Sequence, residues 1–339
     1  MKEALLWEAS GESAGCLLCN HFCVVKRGCR GRCGVRENRD GRLYSLSYGR
    51  LVAEGADPIE KKPFFHFLPS SLSYSISSAG CNFSCGFCQN YMISQSAREG
   101  GLIPGRKAEP EDVVSAALSC GCSSISYTYT EPTVFFEFAL ETAMLARKKG
   151  LMNNFVTNGY MSGRALEMIS PYLDAANVDL KGDDSFYREI CGARMGPVVE
   201  NIGRMKKLGI WVEVTTLLVP GYNDSDEKVR ELAGVIRDID PFIPWHVSRF
   251  FPAYRMSGHY PGSVEGLERA RKAGFDSGLK YVYAGNVPGS EGENTFCHSC
   301  GSLLIKRYGF RVSEKRLRDG MCPACNSPVA GVFKKGREK

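Results

Sequence analysis

The sequence predicts an α/β fold: a partial (β/α) TIM-type barrel flanked by an N-terminal Cys-rich module and a C-terminal zinc ribbon. Three observations carry that expectation. Between residues 61 and 290, β-branched and aromatic segments alternate with amphipathic ones six or seven times, and repeated βα units imply a parallel sheet with helices outside. Twelve of the fifteen cysteines fall in three tight groups, the pattern of metal ligands in a reducing compartment. Hydrophobic residues make up 43% of the 339 and charged residues 24%, enough apolar content for a core and too much for a disordered chain. Periodicity alone leaves a three-layer sandwich open, but six or seven units fit a barrel better.

Residues 1–60 form the head. It contains CLLCNHFC (16–23), CRGRCGVREN (29–38) and a short strand pair around GRLYSLSYGRLVAE. Glycines and arginines separate the cysteines, so the segment buries little apolar surface and needs a metal to fold. Residues 61–290 form the barrel. Strands are expected at 71–79, 124–130, 152–158, 175–181, 211–219, 244–250 and 279–285, from β-branched and aromatic content. Helices are expected at 109–120, 132–150, 163–173, 196–209, 225–239 and 264–278. Pro132 opens the second helix, Gly150 closes it, and Arg147, Lys148 and Lys149 complement its C-terminal dipole. Residues 291–339 return to cysteine, as CHSC and CPAC, and end in the basic tail KKGREK.

The central cluster is CNFSCGFCQN (81–90), with spacing C-x3-C-x2-C directly after the first barrel strand. Three thiolates from Cys81, Cys85 and Cys88 on one loop suit three irons of a [4Fe–4S] cube. The fourth iron then stays open to a ligand, as at a catalytic metal site. Phe87, next to Cys88, would shield the cluster. The alternatives are a zinc loop with a distant fourth ligand or three unrelated buried cysteines, but the C-terminal end of a barrel strand is where barrel active sites lie.

This segment, with SYTYTEPTVFFEF, FVTNGY, AANVDLKGDDSFYREICGA, WVEVTTLLVPGYND, WHVSRFFPAYRM and YVYAGNVPGSEGENTFC, resembles the radical S-adenosylmethionine (SAM) superfamily. The resemblance is to the relatives of pyruvate formate-lyase activating enzyme, in particular the radical SAM member of the AmmeMemoRadiSam system, and it spans nearly the whole chain. It implies SAM bound at the open iron, reductive cleavage to methionine and a 5′-deoxyadenosyl radical, and hydrogen abstraction from a substrate. It also implies an electron donor of flavodoxin or ferredoxin type, and either a protein substrate, as in glycyl radical enzyme activation, or AmmeMemoRadiSam partner proteins. Its Gly-Gly-Glu segment corresponds to Thr130, Glu131 and Pro132, where Glu131 would receive the SAM amino group; the plain reading of Glu131 is a carboxylate at a helix N-terminus. Asn158 would lie near the SAM ribose. Lys181 would neutralise the SAM carboxylate while Asp179 orients ribose or amine, the pair sharing one side of a strand end; the plain reading is an exposed ion pair. His246 matches a histidine near SAM, although a lone strand histidine is as often structural. Activating enzymes carry an Asp where this chain has Val156, so no equivalent cation site is expected.

Cys297-x2-Cys300 and Cys322-x2-Cys325 suit a four-thiolate structural Zn2+ site, with rubredoxin-like iron as the competitor. In the head, Cys16, Cys19, Cys23 and Cys33 form a four-ligand set for zinc or, less favoured, a second iron–sulfur cluster; His21 and Cys29 are spare. Cys191 is a buried small hydrophobe before it is a catalyst, and Phe250, Pro252, Tyr254 and Arg255 follow the sixth strand, where barrel loops reach the site.

Net charge is +6, which permits an acidic partner without demanding nucleic acid. No apolar run reaches the roughly 18 residues of a transmembrane helix, and the N-terminus lacks a signal-peptide core, so a cytoplasmic enzyme without membrane contact is expected. The reading from another class is a non-catalytic zinc or iron–sulfur protein that binds RNA or a protein partner. The open-site loop and the Asp179/Lys181 pair argue against it.

Overall fold

A computed structural model describes residues 1–334; beyond Lys334 the basic tail lies outside the described residues. Among these, a nine-stranded sheet dominates. Its strands in chain order are β1 (Arg50–Pro58), β2 (Leu72–Ser78), β3 (Arg106–Lys107), β4 (Ser124–Tyr127), β5 (Met152–Thr157), β6 (Ala175–Asp179), β7 (Trp211–Leu218), β8 (Trp245–Arg249) and β9 (Val282–Gly285). Their spatial order is β9-β8-β7-β6-β5-β4-β2-β1-β3. The run from β2 to β9 that leaves out β3 is parallel and strictly sequential. A doubly wound sandwich would reverse direction at a switch point; this order does not, so the sheet is an open partial barrel.

Local chemistry sets the helices. Helix α1 (Pro110–Ser119) opens with a reciprocal capping box between Glu109 and Asp112 and with proline in its first turn. Pro132–Phe135 forms a 3-10 turn that leads into α2 (Phe136–Lys148), so the helix expected over 132–150 is regular only in its second part. Helix α3 (Gly163–Ile169) stops short of residue 173, because Pro171 has no N–H to continue the ladder. Ser225 and Ser263 cap α5 (Asp226–Ile239) and α6 (Val264–Asp276), and α4 (Gly196–Lys207) lies before them.

One boundary is corrected. Strand β1 pairs antiparallel with β2 along most of its length, so the sheet starts before residue 60. The strand expected around RLVAE is real, but it joins the barrel sheet rather than the head, and its other edge carries only the two-residue β3. The rest of the head folds as two three-stranded antiparallel sheets, and Thr295–Phe296, Leu303–Tyr308 and Arg311–Lys315 make another at the C-terminal end.

The segment 59–70, between β1 and β2, plugs the N-terminal ends of the strands. Phe64, Phe67 and Leu68 pack on Met152, Ala175 and Trp211, the first residues of their strands, and on Val332. Phe65 packs on Tyr281, Tyr283 and the C-terminal module. The fully buried Glu213 carboxylate accepts from the N–H groups of Phe65 (2.9 Å) and His66 (2.8 Å), from Trp211 Nε1 (3.0 Å) and from His246 Nε2 (2.7 Å). The plug is thus tied to the barrel floor by one carboxylate.

Candidate active site

Strand β2 ends at Ser78, and the chain turns at once into the loop that carries Cys81, Cys85 and Cys88. All three thiols line a cavity of about 340 Å³ at the C-terminal ends of the strands. Phe87, Thr130, Glu131, Asn158, Asp179 and Lys181 line the same cavity. Residues named from four separate strand ends therefore meet in one place.

The cysteine loop is braced from behind. Ser84 N and Gly86 N donate to the carbonyls of Cys191 (3.0 Å) and Ile190 (3.1 Å), in a single π-helical turn over Tyr187–Cys191 of the kind that often marks functional sites. A hydrogen bond with the Cys191 thiol, together with burial, pushes Cys85 well above its ordinary pKa, and burial raises Cys81 and Cys88. Cys191 itself does not line the cavity. Cys81 Sγ accepts from Phe83 N (3.4 Å) and Asn158 Nδ2 (3.9 Å), and Cys88 Sγ meets Ser94 Oγ at 3.4 Å.

Glu131 is buried with most of its capacity spent. Oε1 accepts from Thr133 N (3.1 Å), Thr133 Oγ1 (2.5 Å) and Thr157 Oγ1 (2.7 Å), and Oε2 from Asn158 N (2.8 Å). It is the N-cap of the 3-10 turn, the plain reading of the sequence, and it also lines the cavity, with Oε2 accepting from Asn158 N alone. Burial raises its pKa against these donors. Thr130 Oγ1 donates to Ser78 O (2.6 Å) and so fastens β4 to the start of the cysteine loop. Lys181 Nζ sits 2.7 Å from Asp179 Oδ2 and 5.6 Å from the centre of the Phe87 ring. Burial opposes its charge, but the Asp179 carboxylate and the Cys85 and Cys191 sulfurs outweigh it and raise the pKa well above the usual lysine value.

His246 is a correction. It is the second residue of β8, at the floor end, and its ring is committed to Glu213 and stacked on Tyr283. It does not line the cavity. Tyr254 and Arg255 also stay outside: Tyr254 stacks on Tyr91, and both reach Glu99, covering the outer side of the cysteine loop.

Sequence reasoning missed Lys62 and Tyr129, which line the cavity, and Asp57, which holds them both. Lys62 Nζ lies 2.7 Å from Asp57 Oδ2 and 3.3 Å from Tyr129 Oη, and Tyr129 Oη donates to the same Asp57 oxygen at 2.6 Å. Tyr129 holds φ +64°, a left-handed conformation that costs about 1 kcal/mol in a non-glycine residue. Burial would raise Asp57, but donors from Lys61, Lys62 and Tyr129 hold it well below the carboxylate range. Burial pulls Lys62 down to about 8. Its charged form therefore costs stability in full below that pH. The cost is relieved as pH climbs from there toward the unfolded lysine value, because the unfolded chain then binds the proton the fold has lost. Wild type should gain roughly 2 kcal/mol on Lys62→Met between about pH 7 and pH 10, read from urea midpoints at each pH; a constant difference would refute the assignment.

Residues 75–233 match the family model of the radical SAM superfamily. An uncharacterised protein of Methanocaldococcus jannaschii, MJ0808, is 43% identical over 333 residues, covering 97% of this chain and 99% of its own. The pyruvate formate-lyase-activating enzyme of Clostridium pasteurianum is 21% identical over 214 residues, 59% of this chain and 87% of its own. In fold, a radical SAM methyltransferase of Sphaerobacter thermophilus superposes with TM-score 0.51 at 18% identity, over 67% of this chain and 71% of its own. SuiB of Streptococcus suis bound to S-adenosylmethionine gives 0.51 at 15%, over 71% and 56%.

Proposed function

The chain belongs to the radical SAM superfamily, and from that premise we propose that its cavity cleaves SAM reductively and directs hydrogen abstraction from a substrate at the barrel mouth. The observation that carries this is the convergence of Cys81, Cys85 and Cys88 with the Asp179–Lys181 pair on one cavity. The residues fit a three-cysteine [4Fe–4S] site: three soft thiol donors face one space, and buried N–H groups of Phe83 and Asn158 already point at Cys81 Sγ. When bound, the cluster and SAM together supply one-electron cleavage of the sulfonium and a 5′-deoxyadenosyl radical.

The remaining work falls to side chains. Cys81, Cys85 and Cys88 would hold three irons of the cluster and leave the fourth without a protein ligand, open to SAM. Lys181 keeps its proton and presents a positive charge to the SAM carboxylate, while Asp179 fixes its position. Phe87 and Lys181 together wall off one side of the loop. Glu131 offers Oε2 to the SAM amino group, and Thr130 and Asn158 hold the strand ends in register. Lys181→Met should weaken SAM binding tenfold or more, about 1.4 kcal/mol, in equilibrium titration of the iron-loaded protein; unchanged affinity would remove Lys181 from the SAM site.

The activity we assign is that of a cytoplasmic oxidoreductase of the activating-enzyme kind, in the AmmeMemoRadiSam type, with a flavodoxin or ferredoxin as electron donor. The motif resemblance at both Cys-rich ends supports the type, and the relatives named as activating enzymes support hydrogen abstraction from a protein glycine. Among the described residues no helix is long and apolar enough to cross a membrane. Zn2+ is assigned to Cys297, Cys300, Cys322 and Cys325, whose ligand atoms all lie within 4.8 Å of one another. The test is production of 5′-deoxyadenosine by the anaerobic, iron-loaded protein with dithionite and SAM. Failure of that protein to bind SAM would overturn the reading.

A further inference from the structure

We propose that Cys16, Cys19, Cys23 and Cys33 hold a second, four-thiolate iron–sulfur cluster of the [4Fe–4S] type, set directly behind the loop that carries Cys81. The four thiols line one small cavity in the head, and Cys29 does not. His21 also lines it, with Nε2 2.9 Å from the carbonyl oxygen of Asn82.

The spacing separates the two metals the sequence allowed. A zinc ion with Zn–S bonds of about 2.3 Å sets its sulfurs about 3.8 Å apart. The C-terminal site matches that, with Cys297–Cys325 at 3.6 Å and Cys300–Cys322 at 3.7 Å. Among the described residues it is the one group of three or more Cys, His, Asp or Glu whose ligand atoms all fall within 4.8 Å of one another. No three of the head thiols come that close, and neither do the three of the Cys81 loop. A cube of irons and sulfides holds its cysteines at outer corners, farther apart than the edge of a ZnS4 tetrahedron. The head thus lacks the tight spacing of the ribbon, as the cluster loop does.

A second observation is independent of the cysteines. Two of the other side chains lining this cavity, each 1% exposed, carry a nitrogen with no hydrogen-bond partner: Asn82 Nδ2 and Arg36 Nε. A buried orphan N–H costs about 1 to 3 kcal/mol. Arg36 Nη1 already lies 4.0 Å from Cys16 Sγ, and its Nη2 pairs with Glu137. Cluster sulfides, which a zinc site lacks, are acceptors for both orphan nitrogens. Asn82 also ties the two sites together. It follows Cys81 in the chain, and its Oδ1 accepts from Asn158 Nδ2 at 2.7 Å. One residue therefore separates a ligand of the catalytic loop from the wall of the head cavity.

The test is metal content. The variant Cys81→Ala/Cys85→Ala/Cys88→Ala, reconstituted anaerobically with iron and sulfide, should stay brown and carry about four irons, about four sulfides and about one zinc per chain. Adding Cys19→Ser and Cys33→Ser should remove the iron and keep the zinc. Should the triple variant not fold, the wild type reads the same question, with about eight irons expected against about four for a single cluster. A colourless triple variant with about two zincs, or a head with no metal, would overturn the proposal. Formation of 5′-deoxyadenosine by the wild type reports on the barrel site and is unaffected by either result.

Discussion

Cys88→Ala should form no measurable 5′-deoxyadenosine under conditions in which the wild type does, a loss of roughly a thousandfold or more, equivalent to about 4 kcal/mol of barrier. Cys81 receives two N–H donors and Cys85 is backed by Cys191, whereas Cys88 meets the Ser94 hydroxyl at 3.4 Å and the backbone N–H of Asn90. Its removal leaves two thiolates on one side of the cavity and no third anchor to fix which iron stays open. The barrel does not depend on it, because Cys88 is only partly buried and its neighbours are held by backbone bonds to residues 190 and 191. The urea midpoint should therefore stay close to that of the wild type while activity disappears. Full turnover by Cys88→Ala would show that this thiol ligates nothing.

Glu213→Ala should show the converse, with stability lost before chemistry. The carboxylate is fully buried and accepts from four donors on three segments. Burial alone would raise its pKa, but His246 and the other donors outweigh it and keep the group ionised. Truncation strands two backbone N–H groups, an indole and an imidazole in a dry interior, a cost of about 3 to 5 kcal/mol. A urea midpoint within error of the wild type would refute the role. Glu213→Gln keeps one carbonyl acceptor and should cost less than the alanine variant.

How far the site was legible follows from where each residue lies along its strand. Cys81, Cys85 and Cys88, with Asp179 and Lys181, sit just at or past strand ends, and a parallel barrel brings all its C-terminal ends to one mouth. Spacing was enough for the three cysteines, and the family resemblance supplied Asp179 and Lys181. His246 looks equivalent in the sequence but is the second residue of β8, on the opposite end of the barrel; depth along a strand depends on register, which one sequence does not display. Lys62 reads as half of a surface lysine pair in EKKPFF. It enters the cavity because the segment 59–70 folds inward before β2 begins, a tertiary fact with no local signature. In the head the cysteines alone left the metal open, and the cluster proposed there rests on how the thiols and the orphan nitrogens of Asn82 and Arg36 are arranged in space.

The barrel floor also sets a timetable. His66 hydrogen-bonds the carbonyl of Ala330 across 264 residues of chain, and Arg307 Nη2 donates to the carbonyl of Phe65 across 242. Contacts of that separation close slowly and late. During synthesis, at about 5 to 20 residues per second, the plug waits more than ten seconds for the segment that locks it. The cysteine loop, the strand ends and the head are all complete in that interval. The nascent barrel thus passes through a stage in which both cysteine-bearing loops are made and its floor is still unlatched.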